Sequence, residues 1–402
     1  MTEENNENSL ALLNACKRTD EKEALRIIDN EQFDPRLQDS DGNTAFYYAV
    51  QKGLVNVVEK LFHEDRRLIS FTNKTGQAPL HLMILLKNNK YVDLLLERHF
   101  LLDLLSKYPG PNNYSGTILH YAVKYNNIYM LKALSPEFHY YYDNSLDSNG
   151  YSPLRIASEI GNVESLNLLL ELARNSIHDN ENVSALFFSA ASNNHTECVK
   201  SLIRFYYRKY NYLKSPFLKA LLDDNVNEFK TILTSDKIDI NRTYLDGWTL
   251  LHIAACVHST AIVRELLSMD NLNVNIRDVN FYAPLHYMAR QGTLSILNMI
   301  INRADVDVNI NNYSNHTPLH WAAIKNHTDC VKALLSRTDI DINKRGHYGR
   351  PALTSAIISN SLNAIDELLK DITIQVNIKC NSDMTPLYYA VRLNHFDCLK
   401  AL

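Results

Sequence analysis

Fifteen histidines and six cysteines are the side chains of this chain best suited to metal or acid–base chemistry. Five of the histidines, His81, His120, His252, His286 and His320, follow Ala78, Thr117, Thr249, Ala283 and Thr317 by three residues each. A zinc site needs its N and S donors to converge on one ion at about 2.0–2.3 Å. These histidines recur one per segment instead, so on neighbouring packed helices they stand about 10 Å apart. That spacing suits a repeated structural contact, not a shared ligand set. The cysteines (Cys16, Cys198, Cys256, Cys330, Cys380 and Cys398) form no C-x-x-C pair. Cys198, Cys330 and Cys398 lie in H-T-E-C-V-K, H-T-D-C-V-K and H-F-D-C-L-K, one position of a recurring pattern that marks a small core residue. There is no G-x-x-x-x-G-K or G-x-G-x-x-G phosphate loop, no G-x-S-x-G elbow and no Cys/His protease signature. With the carboxylates scattered, no catalytic residue, metal ligand or cofactor site is assigned, and the chain reads as non-enzymatic.

One further cluster mixes charge with aromatic rings. Arg204, Arg208, Lys209 and Lys214 alternate with Tyr206, Tyr207, Tyr210 and Tyr212. Such a stretch could stack on nucleic-acid bases, contact a partner protein, or fill a widened joint between packed elements. A net charge of −4 weighs against nucleic acid. Tyr206, Tyr207 and Tyr210 remain as candidates for contact with a partner.

The elements that position these residues are clearest in Asn315 to Asn343. Thr317 can N-cap a helix with Pro318 at its first position, where the missing N–H costs nothing. Leu319, Ala322 and Ala323 give that helix a narrow apolar face. Asn326 suits a left-handed turn, and Val331, Leu334 and Leu335 form the stripe of a second helix. Neither helix can bury its stripe alone, so the unit needs copies. They exist: Asn241, Asn275, Asn309, Asn343 and Asn377 are 34 residues apart, as are Leu251, Leu285, Leu319, Leu353 and Leu387. Helix pairs are expected to start near Thr44, Ala78, Thr117, Ser152, Ser184, Ser215, Thr249, Ala283, Thr317, Pro351 and Thr385, after a first pair over Ser9–Asn30. The turn between paired helices is Gly at 53, 161 and 292 and Asn at 126, 326, 360 and 394, the residue types that tolerate positive φ. Lys87, Asp224 and His258 depart from this rule, and Asn88-Asn89 suggests a shifted turn after Lys87.

A 34-residue period also fits tetratricopeptide repeats. The residues separate the two: Thr317 to Ala323 reads T-P-L-H-W-A-A, echoed by Thr249-Leu250-Leu251-His252, Ala283-Pro284-Leu285-His286 and Thr385-Pro386-Leu387-Tyr388. With the paired Leu and D-I-D-I-N that follow, the sequence resembles the ankyrin repeat over about residues 9–402, most strongly over 239–402. The resemblance implies an all-α solenoid of helix-turn-helix units joined by short β-hairpin turns. It also implies that the tetrad His hydrogen-bonds to the tetrad Thr and to the neighbouring repeat, a bond that must differ at Ala78 and Ala283. Ankyrin domains usually bind protein partners through hairpin tips and the concave face lined by first helices. The residue just before each tetrad, on the hairpin, is Trp248, Tyr282, His316, Arg350 and Met384 in the regular half. Trp248, Tyr282, His316 and Arg350 are of types enriched in binding hot spots and are expected to point outward. The competing expectation is that they pack on neighbouring hairpins. Arg290, Gln291 and Lys325 would lie beside them.

Along the chain we expect a disordered tail over 1–8, irregular repeats over 9–213 and regular repeats over 214–402. The regular half either continues one solenoid or starts a second stack, meeting the first near 204–214. The last repeat stops at its second helix without a polar closing unit, so the native protein is expected to continue or to leave that helix exposed. No run approaches the roughly 20 apolar residues of a membrane span, and the acidic N-terminus is no secretory signal. Cysteine usage points to a cytoplasmic, reducing compartment. The expected function is a protein-interaction scaffold or adaptor. The alternative is a cytoplasmic N-terminal ankyrin region of a larger protein, such as a channel or a host-directed effector.

Overall fold

Repetition of one local solution builds the chain. The structure, a computed structural model, describes residues 3–96, 108–109, 115–134, 146–172, 183–209, 216–235 and 239–402. The fold is an all-α solenoid of helix pairs, as the repeat pattern requires. It divides into two compact units, Met1–Glu181 and Asn182–Leu402. The helix pair over 183–209 therefore groups with the regular repeats, not with the irregular ones.

Helix starts follow the capping chemistry. Thr44, Ser152, Thr249, Thr317 and Thr385 each accept a hydrogen bond from the third helical N–H. The turns inside the pairs are left-handed at Gly53, Gly161, Gly292, Asn126, Asn194, Asn326, Asn360 and Asn394. The three exceptions comply as well: Lys87, Asp224 and His258 have φ of 53°, 50° and 58°. The turn at Lys87 is not shifted; the tertiary stack imposes the geometry on a residue that tolerates it less well. The N-terminal tail is another correction, because a helix runs over Glu3–Arg18. Ser9 Oγ donates to the Asn5 carbonyl (2.6 Å) and accepts the Asp34 N–H (2.7 Å), while Asn8 Nδ2 donates to the Gln32 carbonyl (3.2 Å). These bonds tie the polar start of the chain to the next segment.

In the second unit the first helices Leu250–Cys256, Pro284–Gln291, Pro318–Ile324, Ala352–Ile358 and Pro386–Arg392 pack each on the next. The second helices do the same, and Val226–Ser235 precedes Thr260–Leu267 in their row. Two ladders stitch the repeats. Four Asn of the 34-residue column each donate to a backbone carbonyl of the next repeat and accept an N–H from it: Asn309 Nδ2 donates to Asp339 (2.6 Å) and Asn309 Oδ1 accepts from Asp341 (2.8 Å). Asn241, Asn275 and Asn343 repeat both bonds. The tetrad histidines form the second ladder. His320 Nδ1 accepts the Thr317 N–H (3.2 Å) and faces its hydroxyl (2.8 Å), which leaves Nε2–H to donate to the Arg350 carbonyl at 3.0 Å. At Ala283 only the hydroxyl is lost; His286 Nδ1 still accepts the backbone N–H (3.0 Å) and Nε2 donates to the His316 carbonyl (3.1 Å).

Hairpin connections are closed largely by side chains. Asp278 Oδ1 accepts from Asn280 and Tyr282, and Asn312 Oδ1 from Ser314 and His316. Neighbouring hairpins are joined by backbone bonds such as Val279 N–H to the Asp246 carbonyl (2.9 Å) and Asn381 N–H to the Tyr348 carbonyl (2.8 Å). Among the described residues the named strands are Tyr108–Pro109 and Ser115–Gly116, paired antiparallel.

Candidate functional site

The hairpin column does not point outward. Trp248 is 3 % exposed and Tyr282 7 %, while His316 and Arg350 are half-buried. For three of the four the histidine ladder contributes: the carbonyls of Tyr282, His316 and Arg350 are the acceptors of the preceding repeat's His Nε2. That bond fixes the hairpin backbone with these side chains lying over the first helices. Trp248 packs edge-on to Tyr287 at 5.4 Å and stacks with His252 at 6.2 Å. Tyr282 lies 6.0 Å from Trp321, His316 5.1 Å from Trp321, and Arg350 caps the Tyr389 ring at 5.0 Å.

The flanking candidates are drawn into the same layer. The Arg290 guanidinium is sandwiched between Phe188 (4.8 Å) and Trp321 (4.1 Å), and burial pushes its pKa down. Gln291 is buried and donates through Nε2 to the Ala191 carbonyl at 2.6 Å. Lys325 alone of this trio is exposed. Tyr206 is fully buried against Phe205 and Phe187, so it fills a joint and presents no ring to solvent. Tyr207 lies on helix Thr196–Lys209, and Tyr210 lies outside the described residues.

What the hairpins expose sits nearer their tips. Gly247, Phe281, Asn315, Gly349 and Asp383 recur every 34 residues, all with positive φ. Phe281 holds φ 63° and Tyr348 φ 56°, a conformation costing a bulky L-residue about 1–2 kcal/mol. Phe281 is nevertheless 43 % exposed, Tyr348 57 % and Tyr313 81 %. Tyr313 approaches Phe281 at 6.3 Å, and the Arg277 guanidinium lies over the same Phe281 ring at 5.0 Å. A strained backbone that carries an exposed aromatic does nothing evident for the core, and such outliers concentrate at functional sites. The sequence held the signal: Phe281 stands where Gly42, Gly150 and Gly247 close the equivalent turns. Between tips and first helices lie polar atoms with no hydrogen-bond partner in the described structure, among them Trp321 Nε1, Arg350 Nε and Arg290 Nε.

Burial keeps three tetrad histidines neutral and three thiols protonated. Burial holds His252 and His320 down to about 4 and His286 to about 3. Burial also pushes the thiols of Cys16 and Cys198 up to about 12 and that of Cys330 to about 11. Among the described residues no group of His, Cys, Asp or Glu is arranged to hold a metal ion, and no helix is long and apolar enough to cross a membrane.

The model of the family described as "Ankyrin repeats (3 copies)" matches residues 119–214, 188–278, 214–312, 285–380 and 339–402, more than half the chain. Alpha-latrotoxin-Lg1a of Latrodectus geometricus is 28 % identical over 142 residues, which are 35 % of this chain and 8 % of that protein. Among solved structures, the ankyrin repeat protein EF0377 is 25 % identical with a TM-score of 0.43, covering 46 % of this chain and 95 % of its own. An ankyrin repeat domain from Acinetobacter baumannii AYE is 27 % identical with a TM-score of 0.42, covering 47 % and 96 % respectively.

Proposed function

The chain belongs to the ankyrin-repeat family, and from that premise we propose that it is a non-catalytic scaffold or adaptor that binds a protein partner through the hairpin tips of its regular repeats. Ankyrin repeats are in general protein–protein interaction modules. The observation that carries the reading for this chain is the exposed row Phe281, Tyr313 and Tyr348, two of which are held in strained backbone. A rigid repeat stack presents such anchors already in place, which lowers the ordering cost of binding. Arg350 and His316, half-buried beneath the tips, would contact the same partner from below, with exposed Lys325 at the edge. The buried free thiols fit a reducing, cytoplasmic setting.

A second reading, that these repeats are one region of a larger protein, is favoured by the alpha-latrotoxin match, which lies within 8 % of that protein's length. Affinity capture with the wild-type chain and with a Phe281→Gly, Tyr313→Ser, Tyr348→Asn variant tests the proposal. A partner held by the first and lost by the second, at equal thermal stability, supports it. Equal capture by both overturns it.

A further inference from the structure

Helix Val183–Ser192 breaks the stacking order of the second unit. Every first helix from Leu250–Cys256 onward packs on its sequence neighbour, but Val183–Ser192 packs against Pro284–Gln291, with two repeats intervening in sequence. The place before Thr260–Leu267 in the row of second helices is already held by Val226–Ser235. The helix thus packs outside the sequence order that the other first helices keep.

Its contacts resemble those of a bound ligand. Two adjacent aromatics are the anchors: Phe187 lies 5.4 Å from Trp248, and Phe188 lies 5.0 Å from Tyr282 under the Arg290 guanidinium. A polar contact fixes each end. Ser184 Oγ donates to Asp246 Oδ1 at 2.6 Å, and the Ala191 carbonyl accepts from Gln291 Nε2 at 2.6 Å. Ser and Ala flank the anchors (V-S-A-L-F-F-S-A-A-S), so the helix backbone can approach closely. The seat also carries a cost. Arg290 and Asp246 are half-buried beneath the helix, with the buried atoms Arg290 Nε and Asp246 Oδ2 unpartnered. Lifting the helix returns both charged groups to water, which offsets part of the apolar burial that is lost. Beyond Arg290 the aromatic layer continues through Trp321 and His316 to Arg350 and Tyr389, where this helix does not reach.

We propose that the face formed by Trp248, Tyr282, Arg290 and Gln291 is a helix-binding site occupied by the chain's own helix Val183–Ser192. Its external partner is an α-helix with two consecutive aromatics flanked by small residues, which binds by displacing that helix. This rests on the recognition reading above but concerns a different surface from the exposed tips.

The test uses the full chain and a fluorescent peptide spanning residues 183–195. In a Phe187→Asp, Phe188→Asp chain the seat is open, and the peptide should bind at least tenfold more tightly than to the wild type. A peptide with both Phe replaced by Ser should not bind. In the wild-type chain, saturating peptide should speed hydrogen exchange of amides 183–192 at least tenfold while residues 250–301 stay protected. The inference fails if the double variant ignores the peptide, if its repeats over 246–301 lose protection that the peptide cannot restore, or if exchange at 183–192 in the wild type is unmoved. Tip recognition is read separately, by Phe281, Tyr313 and Tyr348 variants with Phe187 and Phe188 intact.

Discussion

Replacing Trp248 by Ala removes an indole that is 3 % exposed and packed against Phe187, Tyr287 and His252. Truncating a buried aromatic costs about 3–5 kcal/mol, lost apolar transfer and the cavity together. An outward-pointing hairpin residue would cost no more than about 0.5 kcal/mol, so the two expectations differ several-fold. Because repeat stability is a nearest-neighbour property, the loss should concentrate where the ring makes contact, at residues 183–192 and 250–301. Native-state hydrogen exchange reads this directly. At about 1.36 kcal/mol per decade, protection there should fall by about two to four decades, up to the limit set by global unfolding. Repeats beyond residue 350 should lose far less. Protection that falls by under half a decade at Leu250–Cys256 would show that the indole is not part of the core.

Three other outcomes follow from the same contacts. Phe281→Gly relieves a left-handed aromatic and should leave stability unchanged or raise it by about 0.5–1 kcal/mol while weakening partner binding; a drop in urea midpoint would refute the strain. Asn309→Ala removes a donor and an acceptor bridging two repeats, and should cost about 1–2 kcal/mol, against a smaller cost for Asn309→Asp, which keeps the acceptor; equal midpoints for all three chains would remove the ladder from the stability argument. His252, His286 and His320 are held at about 4, 3 and 4 against an ordinary 6.5. The unfolded chain therefore binds more protons below pH 6.5, and stability, full above that pH, should fall by about 2 kcal/mol per histidine by pH 5. Equal urea midpoints at pH 7 and pH 5 would contradict the buried neutral imidazoles.

The repeat register was legible because folding demands recur: Asn241, Asn275, Asn309 and Asn343 bridge repeats, His252, His286 and His320 do the same, and Leu251, Leu285, Leu319 and Leu353 are buried, so their columns appear at one period. Turn geometry was legible at Gly and Asn positions but not at Lys87, Asp224 and His258, where the stack overrides local preference. Which hairpin side chains face solvent was misread by one position. Trp248 and Tyr282 look like free anchors by residue type, yet their rings turn inward, and the Tyr282 backbone is held by His252 of the preceding repeat. Phe281, one residue before Tyr282, carries the exposure. The seat of helix Val183–Ser192 depends on packing between elements about 100 residues apart, as Gln291 and Ala191 are, and no local pattern encodes that.

Site-specific photo-crosslinking tests recognition at the tips most directly. A benzophenone side chain replacing Phe281 or Tyr313 should, in the native cellular milieu, form an adduct with one protein species, the same at both positions. The same probe replacing Arg264, exposed on a second helix, should not form it. Adducts of equal yield at Arg264, or none at Phe281 and Tyr313, would contradict recognition through the hairpin tips.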